Sequence, residues 1–96
     1  MSKYELAVVV SANLEDEARA AVIEKVNKYV VRFGGNVTEV VEAGKKKLAY
    51  EVQKQSEAFY YFVNFESESE CPVELEKRLR IMESVMRYLI VKKDEK

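Results

Sequence analysis

Apolar and polar positions along the chain switch between two periods, and each switch marks an element. Tyr4-Glu5-Leu6-Ala7-Val8-Val9-Val10 is short, apolar and β-branched, which predicts a mostly buried strand. Ser11-Ala12-Asn13 follows with turn and cap chemistry, Asn13 being a candidate acceptor for free helix N–H groups. From about Leu14 to Phe33 the apolar residues Ala18, Val22, Val26, Tyr29, Val30 and Phe33 are spaced three or four apart. They predict one stripe of an amphipathic helix. Glu15, Asp16 and Glu17 stand at its start and Lys25, Lys28 and Arg32 toward its end, as the helix dipole favours. Gly34-Gly35 stops it, because glycine enters the left-handed cap conformation without steric cost.

The second half repeats the scheme. Val37, Val40 and Val41 place a strand over Asn36 to Glu42, with a bulge or bend expected at Gly44. Leu48, Tyr50 and Val52 alternate with Lys47, Ala49 and Glu51, the period of a half-buried strand. Gln53 to Glu57 is polar and reads as a hairpin loop, and Phe59 to Phe65 as a central strand. Ser67, Ser69 and Pro72 mark a helix start, and Leu75, Leu79 and Met82 its apolar stripe. Ser84 to Lys92 returns to strand, and residues 93–96 form a short charged tail after a domain spanning 1–92. The order strand, helix, strand, strand, helix, strand predicts an α+β ferredoxin-like sandwich. It has a four-stranded antiparallel sheet, two helices on one face and the other face open.

Parity assigns the open face. With Leu6, Val8 and Val10 toward the helices, Glu5, Ala7 and Val9 point away. Tyr60, Phe62 and Asn64 are expected on the same side, as are Arg87, Leu89 and Val91. Lys45, Lys47, Ala49 and Glu51 join them if no bulge intervenes. Such a surface is apolar and aromatic with a few bases. Exposed apolar area on a small domain marks a partner site, and aromatics beside bases stack on nucleobases and pair with phosphates. The plainer alternative is that the aromatics serve strand propensity and that Lys45–Lys47 protects a sheet edge.

Composition narrows the chemistry. A chain of 96 residues, 48% hydrophobic and 34% charged, makes one folded domain. It contains no His, so neither a His-based nucleophile system nor a His metal site can be built. Cys71 is the only cysteine, which rules out an intramolecular disulfide and suits a reducing cytoplasm. No segment reads as a signal peptide, transit peptide or membrane span, so no membrane partner is expected. The net charge of −1 hides an uneven distribution. Glu57 to Glu76 holds six acidic residues and no basic one, whereas Lys77 to Lys96 holds seven basic against three acidic. The acidic run Glu66, Glu68, Glu70, Glu74 and Glu76 reads as helix-start chemistry rather than as a metal site. The domain is therefore expected to bind rather than to catalyse, and to need no cofactor.

Gly44-Lys45-Lys46-Lys47-Leu48-Ala49-Tyr50 resembles the Gly-x-basic-x-Leu-Ala-Tyr motif of the bacterial small-subunit ribosomal protein six family. Tyr4-Glu5 with the apolar run after it resembles that family's opening strand. Leu79-Arg80-Ile81 and Val85-Met86-Arg87 resemble its closing helix-to-strand passage. The spacing fits too, so the resemblance covers nearly the whole chain. Departures are Glu51 where the family often has Pro, Val52 where Ile is usual, Ala58 where Gly is frequent, and a short tail.

The resemblance implies a ribosomal protein of the cytoplasm, without catalytic activity or cofactor. It implies binding to the central domain of 16S ribosomal RNA together with small-subunit ribosomal protein eighteen. A chain of net charge −1 neutralises few phosphates alone, so a basic partner docked on its apolar surface supplies the missing charge. On this reading Lys3, Tyr4, Lys45, Lys46, Lys47, Lys54, Arg80 and Arg87 lie at or near RNA. Val9, Tyr50, Tyr60, Phe62, Leu89 and Val91 dock the partner protein, and the isolated chain is expected to be a monomer.

Three other functions fit the topology less well. An independent RRM-type reader needs a basic-Gly-aromatic pattern on the third strand, and Ala58-Phe59-Tyr60-Tyr61-Phe62 lacks it. A ligand-sensing oligomer needs a shaped loop, and Gly34-Gly35 is already explained as a helix stop. A small acyl-phosphate hydrolase needs an Arg after the first strand, where Ser11-Ala12-Asn13 has none.

Overall fold

Strand β1 (Ser2–Ser11) runs through the middle of the molecule, with the side chains of Leu6, Val8 and Val10 fully buried. The computed structural model describes residues 2–52 and 55–93, the side chains of 49–52 and 55 apart. After β1 come α1 (Asp16–Arg32), β2 (Asn36–Val52), β3 (Gln55–Ser67), α2 (Glu70–Arg80) and β4 (Val85–Lys92). All neighbouring strands are antiparallel, and their order in the sheet is β2-β3-β1-β4. This is the predicted sandwich, with both crossover helices on one face.

The core lies between that face and the helices. Leu6, Val8 and Val10 meet Tyr61, Val63 and Phe65 of β3, Val22, Ile23, Val26 and Val30 of α1, and Cys71, Leu75 and Leu79 of α2. Each fully buried aliphatic side chain contributes about 1.5–3 kcal/mol, so this layer is the main source of stability. The helix stripe differs from the sequence reading at its start. Ala18 is exposed, and Arg19 and Ile23 are buried in its place. Val22, Val26 and Val30 keep the inward stripe as read. Arg19 and Ile23, three residues before Val22 and Val26 respectively, lie on the same side and widen it at the N-terminal end of α1 (Asp16–Arg32).

The ends of α1 also depart from expectation at one end and follow it at the other. Asn13 does not cap the helix. Its own backbone N–H donates to Ser11 Oγ at 3.1 Å, closing the turn locally, and Glu15 occupies the cap position without a side-chain hydrogen bond. At the C-terminus Gly34 has φ +90°, its N–H donates to Val31 O at 3.0 Å, and the Gly35 N–H donates to Val30 O at 2.7 Å. That pair of bonds is a Schellman closure, satisfying two carbonyls the helix leaves open.

The hairpin is longer than its hydrophobic pattern suggests. Residues read as loop from Gln53 to Glu57 fall partly in β3, because Val52 pairs with Gln55 and the ladder continues past the apolar stretch. Residues 53 and 54 lie outside the described residues. Backbone pairing satisfies main-chain donors and acceptors whatever the side-chain pattern, so the ladder is not bounded by the apolar run.

Candidate nucleic-acid and partner interface

On the face away from the helices, cross-strand pairing sets side chains in rows, since directly opposed residues share a side. Val9 lies between Tyr60 of β3 and Arg87 of β4, Ala7 between Phe62 and Leu89, and Glu5 between Asn64 and Val91. Strand β2 extends the rows with Gly44 beside Tyr60, Val41 beside Phe62 and Glu39 beside Asn64. The middle row, Val41-Phe62-Ala7-Leu89, is an apolar band across the full width of the sheet. Leu89 is 61% exposed, Val91 45% and Val41 38%. Val9 is buried at 8% under its neighbours, so it supports the band from below rather than presenting itself.

Charge is graded along the strands. Arg87 and Lys46 stand at one end of the band, Lys46 being opposite Ala58 on the same side. Glu5 and Glu39 stand at the other, where Lys93 Nζ also donates to Asn64 Oδ1 at 3.2 Å. The open face therefore offers an apolar middle between a cationic end and an end of mixed charge, where Lys3 and Lys93 stand among Glu5, Glu39 and Glu66.

The basic run does not lie as parity alone predicts. Strand β2 carries a bulge between Glu42 and Gly44, where Ala43 is the extra residue and Gly44 has φ +89°. The extra residue reverses the alternation. Lys45 and Lys47 consequently sit opposite Phe59 and Glu57, on the helix side, and only Lys46 shares the open face. The Lys45 ammonium is 3.7 Å from the Glu57 carboxylate and 6.0 Å from the centre of the Phe59 ring. A second bulge, at Thr38, puts Val41 and Glu39 on the open face, a placement that alternation counted from either end misses.

The remaining candidates are scattered. Lys3 is exposed on the open-face side, opposite Glu66. Tyr4 is not at a surface edge. It is 7% exposed and stacked on Phe65 with ring centres 5.5 Å apart, because its position in β1 has the parity of Leu6. Arg80 ends α2 on the helix layer, 4.0 Å from Glu76. Lys54 and the side chain of Tyr50 lie outside the described residues.

One charged residue that sequence reasoning missed is built into the structure behind this region. Arg19 is 9% exposed, and its guanidinium donates to the Leu14 carbonyl at 2.6 Å, to Tyr61 Oη at 3.3 Å and to the Asp16 carboxylate. Burial opposes its charge, but the bonds to Tyr61 and Asp16 outweigh it and hold the group above its ordinary pKa. Cys71, by contrast, is pushed up by burial, with its thiol 3.8 Å from Val30 O, which makes it a neutral packing group. Among the described residues no cluster of acids and cysteine is arranged to hold a metal ion.

A flat apolar band with charged ends describes a surface for binding. The family model described as "Ribosomal protein S6" matches residues 3–92. The chain belongs to the ribosomal protein S6 family. It is 44% identical over 95 residues to the small ribosomal subunit protein bS6 of Heliobacterium modesticaldum, covering 99% of each chain. With the bS6 of Clostridioides difficile it shares 44% over 91 residues, 95% of this chain and 98% of that one. In three dimensions it resembles the crystal structure of 30S ribosomal protein S6 from Thermotoga maritima. The TM-score is 0.89 at 26% identity, over 96% of this chain and 87% of that chain. Membership in the S6 family makes it a small-subunit component of the cytoplasmic ribosome, a structural protein and not an enzyme. No helix among the described residues is long and apolar enough to cross a membrane.

Proposed function

We propose that this S6-family chain binds the central domain of 16S ribosomal RNA cooperatively with small-subunit ribosomal protein eighteen. The partner docks on the open face of the sheet. The observation that carries this reading is the band Val41-Phe62-Ala7-Leu89, apolar across all four strands and ending in the 61% exposed Leu89. A monomer gains nothing from leaving that band in water, whereas a partner covering it gains about 25 cal/mol for each Å² buried. Arg87 and Lys46 border the band, so a cationic partner seated there joins its charge to theirs, and RNA meets one extended basic surface. Lys45 and Lys47 belong to the part of β2 that flanks this surface, and Lys3 to its opposite rim.

The test is RNA binding by filter retention, using a central-domain fragment, with and without the partner protein. Cooperative assembly predicts that the partner tightens binding by roughly 5- to 150-fold, a coupling of about 1–3 kcal/mol. Equal affinity in its presence and absence would sink the proposal. Tight binding by this chain alone would instead make Tyr60 and Phe62 stacking platforms of an independent RNA reader, and no binding in either case would take the function away.

A further inference from the structure

The cations on the helix layer are not distributed like those on the sheet. Lys77 is paired with Glu74 at 3.6 Å and Arg80 with Glu76 at 4.0 Å. Lys25, Lys28, Arg32 and Arg78 are exposed, and among the described residues none of them has a carboxylate partner. Positions 25, 28 and 32 fall within about 60° of arc on a helix of 3.6 residues per turn, so they form one stripe along α1. They line a shallow groove of about 420 Å³ with Ala21, Tyr29 and a single acid, Glu24. Beside the groove the rings of Tyr29 and Phe33 are stacked with centres 6.3 Å apart, and the Arg78 guanidinium stands 6.0 Å from each ring.

We propose that this stripe is a second RNA-contacting surface, which holds a phosphodiester backbone along α1 while Tyr29 and Phe33 keep Arg78 in place beside it. Three cations against one carboxylate give the groove a local charge of about +2, with Arg78 beside it, on a protein whose total is −1. Accumulated like charge without partners costs free energy unless an anion covers it. The helix dipole accounts for Arg32 in the last turn, but its effect fades within that turn and does not reach Lys25. RNA is the anion that membership in a ribosomal family places within reach. The stripe lies on the helix side of the sheet, opposite Arg87 and Lys46, in a domain whose shortest dimension is 21 Å. Charges so far apart exceed the Debye length of about 8 Å at physiological salt, and they act on separate phosphates. This inference adds to the binding proposed for the open face and does not depend on which partner docks there.

Two measurements test it. In the first, Lys28→Gln plus Arg32→Gln and Lys46→Gln plus Arg87→Gln are compared for RNA affinity in complex with the partner protein, across a range of salt. The helix pair is expected to weaken binding about tenfold near 0.15 M salt and to lower the salt slope by about two. It should do so additively with the sheet pair. Loss only in the sheet pair would overturn the stripe and leave the open-face reading intact, and loss only in the helix pair would do the reverse. In the second, amine-reactive labelling of Lys25 and Lys28 is read by mass spectrometry in the free protein and in the assembled small subunit. Protection that ribonuclease digestion removes supports RNA on α1. Full reactivity in the subunit, or protection that survives digestion, overturns it, the latter because a protein then covers the stripe.

Discussion

The guanidinium carbon of Arg19 stands 3.6 Å from the centre of the Phe59 ring. This contact joins the first turn of α1 to β3, and Lys45 approaches the same ring at 6.0 Å. Phe59→Leu keeps the apolar bulk and removes the π face, so it should cost about 1–2 kcal/mol. Arg19→Met should cost more, because Tyr61 Oη and the Leu14 carbonyl lose their donor. Urea unfolding of the two single variants and the double variant checks the link. The double should cost less than the sum, and strict additivity would show that the stacking carries no energy.

Gly35 and Gly44 should resist substitution for opposite reasons. A Cβ on Gly35 would meet Val30 Cγ1 at 2.7 Å and Val30 O at 3.0 Å, so Gly35→Ala should cost about 1–3 kcal/mol by crowding. A Cβ on Gly44 meets nothing within 4 Å, and its φ of +89° alone penalises an L-residue, by about 1–2 kcal/mol. D-alanine at each position, introduced by chemical synthesis, separates the two. Thermal denaturation should show stability retained at 44, and a drop there would refute the conformational explanation.

Leu89→Asp should divide folding from docking. The side chain is 61% exposed on an edge strand, so stability should move by no more than about 0.5 kcal/mol. A carboxylate at the exposed end of a docked apolar band should cost the partner complex about 2 kcal/mol or more, roughly 30-fold in Kd. Calorimetric titration against the partner reads this directly, and unchanged affinity would place the partner elsewhere.

The Cys71 thiol, raised by burial, should react slowly with aromatic disulfide reagents until the protein unfolds. The sign of the pH effect follows. The unfolded thiol ionises near pH 8.5, while the folded one still holds its proton. Above that pH the native state binds more protons than the unfolded state, and stability falls as pH rises. Unfolding midpoints from pH 7 to 10 should decline more steeply for the native sequence than for Cys71→Ala, and parallel declines would remove the thiol as the cause.

Periodicity was enough to read the element order, the central strand and the inward sets Leu6-Val8-Val10 and Tyr61-Val63-Phe65, because buried faces force a regular alternation. It was not enough where the chain leaves a regular lattice. Lys45 and Lys47 fall on the open face only if no bulge intervenes. Gly44 signals a bulge or a bend, but composition does not say whether the chain bends there or gains a residue, and the extra residue is Ala43. Arg19 was invisible because an arginine in a helix reads as solvent-facing. Only the tertiary neighbours Tyr61 and Phe59 make its burial favourable. Tyr4 looked like an edge aromatic beside Lys3, yet its parity with Leu6 already pointed inward.

The bulge at Ala43 also bears on how this strand tolerates changes in length. Because Ala43 has no partner on β3, removing it leaves Glu42 opposite Tyr61 and Gly44 opposite Tyr60, with Lys45, Lys46 and Lys47 on their present sides. The hairpin's basic run is indexed by its mate across the ladder and not by distance from the start of the strand. A single-codon deletion, which in an ordinary strand turns every later side chain over, is absorbed here as slack. The same deletion two residues later, at Lys45, has no such slack to consume and turns the run inside out unless the bulge itself migrates.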